Sequence, residues 1–440
     1  MPSDGGPSDG GGRAASSAAV AVIGAGYVGL TTAACLARMG HRVVCTDIDE
    51  PRIAGLQRGE MPIHEPGLDR LVRAGLDSGD LSFAYGSAEA ASHADFVFLC
   101  VPTPAGRDGG TDLGFLEAAA TEIGQSLRPQ TVVVNKSTAP AGTTRFLARV
   151  LGRADVPVAS NPEFLRQGSA VRDFLNPDRV VVGAADPAVA ERVAGLYASI
   201  DAPVLITDAA SAETVKYVAN AFLAMKLSFS NSVAALCEAV DADVDDVLAG
   251  MGHDRRIGRD YLKPGPGWGG SCLPKDTRAL IDSASAAGYN FALLRSVVEA
   301  NEAQFDRIID KVASRVALPR ARIALLGLAF KAGTDDLRDS PSVEIGRRLV
   351  KAGASVHAYD PAIRPNAAIT EAGIVVTADA YMACDGASAL VVATEWDEFR
   401  QLDFDRVARV MAELHVIDAR NLLDRGDLER RGFTYSGVGV

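Results

Sequence analysis

The sequence predicts an α/β chain in which two doubly wound sheet domains are joined by a long central helix and a helical middle domain. Three observations predict it. Residues 18–24, AAVAVIG, form a short apolar run ending in glycine, followed by a helical pattern, TTAACLARMG, and a second strand, HRVVCTD; together they read as a βαβ unit. Residues 211–240, SAETVKYVANAFLAMKLSFSNSVAALCEAV, carry apolar residues at helical spacing with neither Gly nor Pro, so one long helix is expected from about 211 towards 250. A second βαβ unit begins at RIALLGLAF, 322–330.

Taken in order, residues 1–17 are rich in Gly, Ser and Asp and lack the basic start and apolar stretch of a secretory signal, so they read as a disordered tail. The first sheet domain is placed at 18–210. Its further apolar runs, 96–101 (FVFLCV), 131–134 (TVVV), 156–159 and 179–183, alternate with helical segments, as a parallel sheet covered on both faces requires. The helical middle domain spans 211–318. In the second sheet domain, 319–440, Ser340 is placed as N-cap with Pro341 in the first helical turn, followed by strands SVHAYD, SALVVAT and HVID.

At 440 residues the chain is too long for one ordinary core. A net charge of -12 disfavours nonspecific association with nucleic acid or an anionic membrane, so an anionic small substrate needs a local cluster of Lys and Arg. No apolar run approaches the roughly 20 residues that span a bilayer. The cysteines (Cys35, Cys45, Cys100, Cys237, Cys272 and Cys384) have neither metal-ligand spacing nor a CxxC pair, which points to reduced thiols in a cytoplasm. The histidines are dispersed, and no metal site is expected.

Gly24-Ala25-Gly26-Tyr27-Val28-Gly29 lies between a strand and a helix. Gly24 is suited to the tight turn, Gly26 to the approach of a pyrophosphate and Gly29 to close helix–sheet packing. Asp47 closes the second strand about 20 residues on, where a carboxylate accepts from ribose hydroxyls and repels a 2'-phosphate; NAD is therefore favoured over NADP. Arg52 either flanks the adenosine or is a solvated surface arginine. The expected architecture is thus two Rossmann-like domains with a helical middle.

Residues 265–276, GPGWGGSCLPKD, concentrate the chemistry. Four glycines let the backbone approach a ligand, and Pro274 suits the first turn of a helix beginning just after Cys272. A thiol there is biased towards thiolate. Asp276 follows one helical turn on. The cysteines in apolar runs, Cys35, Cys45, Cys100 and Cys384, read as small buried hydrophobes.

This stretch resembles the catalytic loop of the UDP-glucose/GDP-mannose dehydrogenase family, in its UDP-glucose 6-dehydrogenase branch. The resemblance covers about 18–425 and includes PIHEPGLDRLV, CVPTP, NKSTAPAGTT, SNPEFLRQGSAVRDFLNPDRVVVG, KYVANAFLA, DRRIG and GLAFKAGTDDLRDSP. It implies a nucleophilic Cys272 that traps an intermediate aldehyde as a thiohemiacetal and then a thioester, with two NAD consumed per sugar. It implies that Lys216 and Asn220 point at C6, that Thr138 and Glu163 lie near it, and that Asp276 works with a water. By the same resemblance, Val101, Thr103, Ser137, Thr138 and Lys275 are expected to join the glycine turn, including Tyr27 and Val28, in holding NAD. The resemblance further implies that Phe164, Leu165, Tyr261, Leu262, Lys263, Gly269, Lys331 and Arg420 hold the nucleotide sugar, with Arg256 reaching in from a neighbouring subunit, and hence at least a homodimer. The family commonly has a second glutamate where this chain has Gln167, which cannot act as a base.

Alternatives stay open at this point: the same reaction on dTDP-glucose, GDP-mannose or UDP-N-acetylmannosamine, and a two-electron dehydrogenase of the 6-phosphogluconate type, which needs no Cys in a glycine loop. A cofactor-binding scaffold would have lost the reactive residues that this chain keeps.

Overall fold

The computed structural model describes residues 17–104, 106 and 110–440; all but Ser17 of the expected N-terminal tail lies outside them. They fall into two compact units, the first ending at Lys216 and the second built from Tyr217 to Val440, with Gly106 and Gly110 counted to it.

The first unit is built on β1 (Ala19–Ile23), β2 (Arg42–Asp47), β3 (Leu81–Tyr85), β4 (Phe96–Leu99), β5 (Val132–Asn135), β6 (Val158–Ser160), β7 (Val180–Ala184) and β8 (Val204–Thr207). Their order in the sheet is β3-β2-β1-β4-β5-β6-β7-β8. Strand β1 pairs in parallel with both β2 and β4, so the chain winds outward in both directions from it and leaves a crevice at its carboxyl end. Strands β1, β4 and β5 are almost wholly apolar and covered on both faces, one by a core around Leu30, Leu36 and Phe98, the other around Leu99, Leu116 and Ile123.

The fully parallel sheet expected from the sequence is corrected at one place: β6 and β7 are antiparallel, with Ala159 opposite Ala184. Residues 161–179 contain only the short helix Ala170–Leu175 and make no crossover, so the chain must return beside β6 in the opposite sense. Both ends of this segment consequently stay at the carboxyl edge of β6, and Glu163, Phe164 and Leu165 are kept there. Strands β3 and β8 were not among the expected runs; β3 is short and interrupted by exposed Ser82, and β8 is an exposed edge.

The long helix is present as Ala209–Val240. It ends earlier than 250: Asp241 takes a left-handed φ of 58°, and Asp243 accepts from the amides of Asp245 and Asp246 to start the separate helix Val244–Gly252.

The second unit carries β9 (Arg322–Leu326), β10 (Ser355–Tyr359), β11 (Val375–Val376), β12 (Ala389–Val392), β13 (His415–Asp418) and β14 (Thr434–Ser436), in the order β11-β10-β9-β12-β13-β14. All pairs are parallel, and β9 is again the strand from which the winding reverses. Ser340 caps the helix Pro341–Lys351 as expected. In the same unit, Ala221 and Ala224 of the long helix pack with Trp268, Ile281, Leu294 and Val297. No described helix is long and apolar enough to cross a membrane.

Candidate active site

In the first unit the glycine turn follows β1. Gly24 has φ 100°, and a Cβ there would stand 2.6 Å from the Cys100 carbonyl oxygen. A Cβ at Gly29 would fall inside the Gly24 carbonyl, whereas Gly26 has nothing within 4 Å. Gly26 is the N-cap of helix Tyr27–Arg38 and provides no side-chain cap, so open space lies beside helix amides that favour an anion. Asp47 accepts from the amides of Ala25 at 2.7 Å and Asp49 at 3.0 Å, which leaves each carboxylate oxygen a further lone pair for a ribose hydroxyl. Arg52 lies 3.8 Å from Asp47 and 3.7 Å from Asp49. These residues fit a dinucleotide.

The ends of β4 and β5 are tied together. Thr103 donates to the Thr138 carbonyl at 2.7 Å, and Ser137 donates to the Val101 carbonyl at 2.7 Å. Four residues expected at the cofactor thus form one hydrogen-bonded patch.

Glu163 is held from two sides, by Lys216 Nζ at 3.0 Å and by the Leu165 amide at 2.6 Å. Burial acts to raise its pKa, but the charge of Lys216, the Leu165 amide and Lys136 outweigh it and hold the carboxyl below the usual glutamate range. The Phe164 ring centroid has two cations near it, the Arg179 guanidinium carbon at 3.7 Å and Lys216 Nζ at 5.5 Å. Gln167 is half-buried.

Two buried groups in quoted motifs were given no role from the sequence. Lys136 donates to Asn161 Oδ1 at 3.0 Å and lies over the Phe174 and Tyr197 rings; burial pushes its pKa down to about 8. Glu65 accepts from the amides of Gly168 at 2.7 Å and Ala170 at 2.8 Å, and from the Tyr27 hydroxyl. It therefore pins the segment after Leu165 to the start of the helix behind the glycine turn. A lysine directly after VVVN and a glutamate inside PIHEPGL were the available signals; neither identifies its partner.

In the second unit Cys272 is the N-cap of helix Leu273–Ala286, with proline in the first turn. It is exposed, and the other five cysteines are buried. The loop before it is anchored by Asn301, which accepts from the Trp268 amide at 2.8 Å and donates to its carbonyl at 3.0 Å. Trp268 Nε1 also donates to Ser228 on the long helix. Asp276 is 1% exposed; its carboxylate accepts from Asn220 Nδ2 at 2.6 Å and Lys275 Nζ at 2.7 Å. Lys275, expected at the cofactor, is thus paired with Asp276 here.

Arg420 is half-buried just after β13. It donates to the Ala393 carbonyl at 3.0 Å and the Phe330 carbonyl at 3.2 Å and pairs with Glu395 at 3.0 Å. Burial lowers its pKa against the opposing charges of Glu395 and Asp418. Lys331, after β9, has Nζ 5.7 Å from the Phe330 ring centroid, and a Cβ on Gly265 would meet Arg420 at 3.4 Å. Lys331, Arg420 and the start of the glycine loop therefore gather at the carboxyl ends of β9 and β13. Gly269 packs against the Asp339 carbonyl. Tyr261 has a left-handed φ of 60°; Leu262 is buried and Lys263 exposed. Arg256 is held by Asp254 at 2.6 Å and is exposed.

The fold agrees with that of known proteins. A UDP-glucose 6-dehydrogenase of Pseudomonas aeruginosa is 45% identical over 438 residues, covering 95% of this chain and 96% of that protein. The UDP-glucose 6-dehydrogenase TuaD of Bacillus subtilis is 42% identical over 427 residues, covering 96% and 93%. The solved structure of a UDP-glucose dehydrogenase from Pyrobaculum islandicum superposes with a TM-score of 0.88 at 37% identity, covering 97% of this chain and 99% of that one. Residues 18–201, 210–303 and 324–425 match the NAD binding, central and UDP binding domains of one family, and the chain belongs to it: the UDP-glucose/GDP-mannose dehydrogenase family.

Proposed function

We propose that the enzyme oxidises the C6 alcohol of UDP-glucose through an aldehyde to the carboxylate of UDP-glucuronate. The observation that carries this reading is Cys272, the exposed thiol at the start of a helix, set behind a glycine loop with Asp276 one turn on. A dehydrogenase making only an aldehyde or ketone has no use for it. When bound, NAD supplies the hydride acceptor for both oxidations, so one alcohol, two NAD and one water give one carboxylate, two NADH and three protons.

This chain's residues then have these roles. Gly24, Gly26 and Gly29 shape the pyrophosphate turn, Asp47 receives the ribose, and Val101, Thr103, Ser137 and Thr138 line the nicotinamide end. Asp276, acting with a water, takes the C6 hydroxyl proton. The Cys272 thiolate adds to the aldehyde carbon; the S–C bond forms as the carbonyl electron pair moves to oxygen, where the Lys216 ammonium and the Asn220 amide stabilise it. Oxidation of this thiohemiacetal leaves a thioester. Glu163, kept ionised, directs water to the thioester carbon; the C–S bond breaks and the thiolate is restored. Lys331 and Arg420 face the UDP pyrophosphate, with Tyr261, Leu262 and Lys263 along the nucleotide.

The reading includes a homodimer in the cytoplasm. The homodimer is supported by Val218, Phe222, Phe229, Leu236 and Val240, large apolar side chains left exposed along the long helix at spacings that repeat on one face, for which a second copy is the natural cover. Arg256, exposed on its own chain, is then available to the neighbour.

Initial rates of NADH formation with UDP-glucose, dTDP-glucose, GDP-mannose and UDP-N-acetylmannosamine test the substrate. The reading expects the largest kcat/KM with UDP-glucose; a tenfold preference for any other sugar nucleotide replaces it.

A further inference from the structure

The chain that carries Thr138 runs on into a helix that does not cap itself. Helix Thr143–Leu151 has Gly142 as its N-cap, with a left-handed φ of 99° and no side chain to accept from the amides of the first turn. The acceptor comes instead from the long helix Ala209–Val240, 71 and 69 residues away. Glu213 Oε2 accepts from the Gly142 amide at 2.6 Å, and its Oε1 accepts from the Thr144 amide at 2.7 Å and the Thr144 hydroxyl at 2.5 Å. Glu213 is 3% exposed and Thr144 5%, so these donors have no water to turn to if the carboxylate is lost.

Between Thr138 and this cap the chain is held at every step. Thr103 donates to the Thr138 carbonyl at 2.7 Å, and the Thr143 amide and hydroxyl both donate to the Pro140 carbonyl, at 3.2 and 2.7 Å. On the long helix, Glu213 lies one turn before Lys216, whose ammonium meets Glu163 at 3.0 Å. One turn of that helix therefore carries the ammonium and also holds the end of the Thr138 segment. The helices starting at Val244, Pro341 and Arg425 take their caps from the residue just before them, Asp243, Ser340 and Asp424. A local cap satisfies amides; a cap from a distant helix also fixes the two segments to each other.

We propose that Glu213 is a positioning residue for hydride transfer: by capping helix Thr143–Leu151 from the long helix, it sets the spacing between the nicotinamide side of the site at Thr138 and the Lys216 ammonium. The proposal rests on the roles given above to those two residues and names what keeps them in register. Misplacing reacting groups by about 1 Å can cost on the order of a hundredfold in rate, even when the change lies away from the chemistry.

The test is the oxidation of UDP-glucose by full-length Glu213→Gln, with kcat expressed per site and the sites counted by titration with NAD. The amide keeps the shape of the carboxylate, but its NH2 group has no acceptor to offer and faces an N–H donor. The kcat per site is expected to fall at least roughly tenfold, with KM for UDP-glucose within about twofold of wild type. The isotope effect on kcat with UDP-glucose dideuterated at C6 should be at least as large as in wild type, because hydride transfer is the step slowed. If the Gln variant does not fold, Thr144→Val removes one contact of the cap and should lower kcat per site by at least about twofold in the same manner. A wild-type kcat per site in the folded variants, whatever their loss of Tm, or a loss confined to KM, overturns the proposal and leaves Glu213 a stabilising cap alone. Failure of the underlying reading looks different: Lys216→Met would then oxidise UDP-glucose at the wild-type rate.

Discussion

The Glu163 carboxylate and the Lys216 ammonium meet at 3.0 Å with side chains 7% and 5% exposed, a buried ion pair within the first unit. Removing one member leaves the other charge buried without its partner, which costs about 3–5 kcal/mol. Lys216→Met is therefore expected to lower unfolding free energy in denaturant by that order, and adding Glu163→Gln should recover part of the loss. Additive losses in the double variant would contradict a direct pairing.

The same pair gives a pH dependence with a definite sign. The Glu163 carboxyl is held below its usual range, so its stabilisation is complete above the unfolded pKa of about 4.3 and is lost as pH falls through the folded value. The stability of Glu163→Gln should fall less steeply than that of wild type below about pH 4.

Lys136 gives the same sign of pH dependence at alkaline pH, because its pKa is lowered too, in this case by burial. Its pKa is pushed down to about 8, so between pH 8 and about 10.4 the unfolded chain binds the extra proton and stability gains with rising pH. Relative to Lys136→Met, the wild type should gain on the order of 3 kcal/mol across that window. A pH-independent difference between the two would mean that the ammonium is not desolvated.

The glycine turn separates folding from cofactor binding. Gly26→Ala adds a methyl into open space, so stability should change by less than about 0.5 kcal/mol, while NAD affinity drops at least roughly tenfold because the pyrophosphate approach is blocked. Gly29→Ala meets the Gly24 carbonyl and should destabilise by more than about 2 kcal/mol. Calorimetry with NAD and thermal unfolding read the two effects separately.

The apolar stripe of the long helix predicts assembly. Phe222→Glu combined with Phe229→Glu should halve the mass seen by light scattering. A wild type that is already monomeric at micromolar concentration removes the argument for a second copy.

What was legible in the sequence was mostly local. Gly24, Gly26 and Gly29 announce their turn, Ser340 and Pro341 their helix start, and Cys272 with Pro274 its N-cap, because each signal lies within a few residues of its consequence. Lys136 with Asn161 and Glu65 with Ala170 were not legible, since partners separated by long stretches of chain are fixed only by the sheet order. The direction of β7 was hidden because VVVG reads alike in either sense, and what decides it is the missing crossover in 161–179. The break after Val240 had its signal in the aspartates of DADVDD, with Asp243 as cap.

The central claim is a four-electron oxidation through a covalent adduct on Cys272. It is tested most directly by incubating the protein with UDP-glucose and excess NAD and measuring NADH and UDP-glucuronate together, for wild type and for Cys272→Ala. The account predicts two NADH per acid in the wild type and loss of acid formation by at least about a thousandfold in the variant. One NADH per sugar with an aldehyde as the end product, or acid formed at an undiminished rate without the thiol, would contradict it.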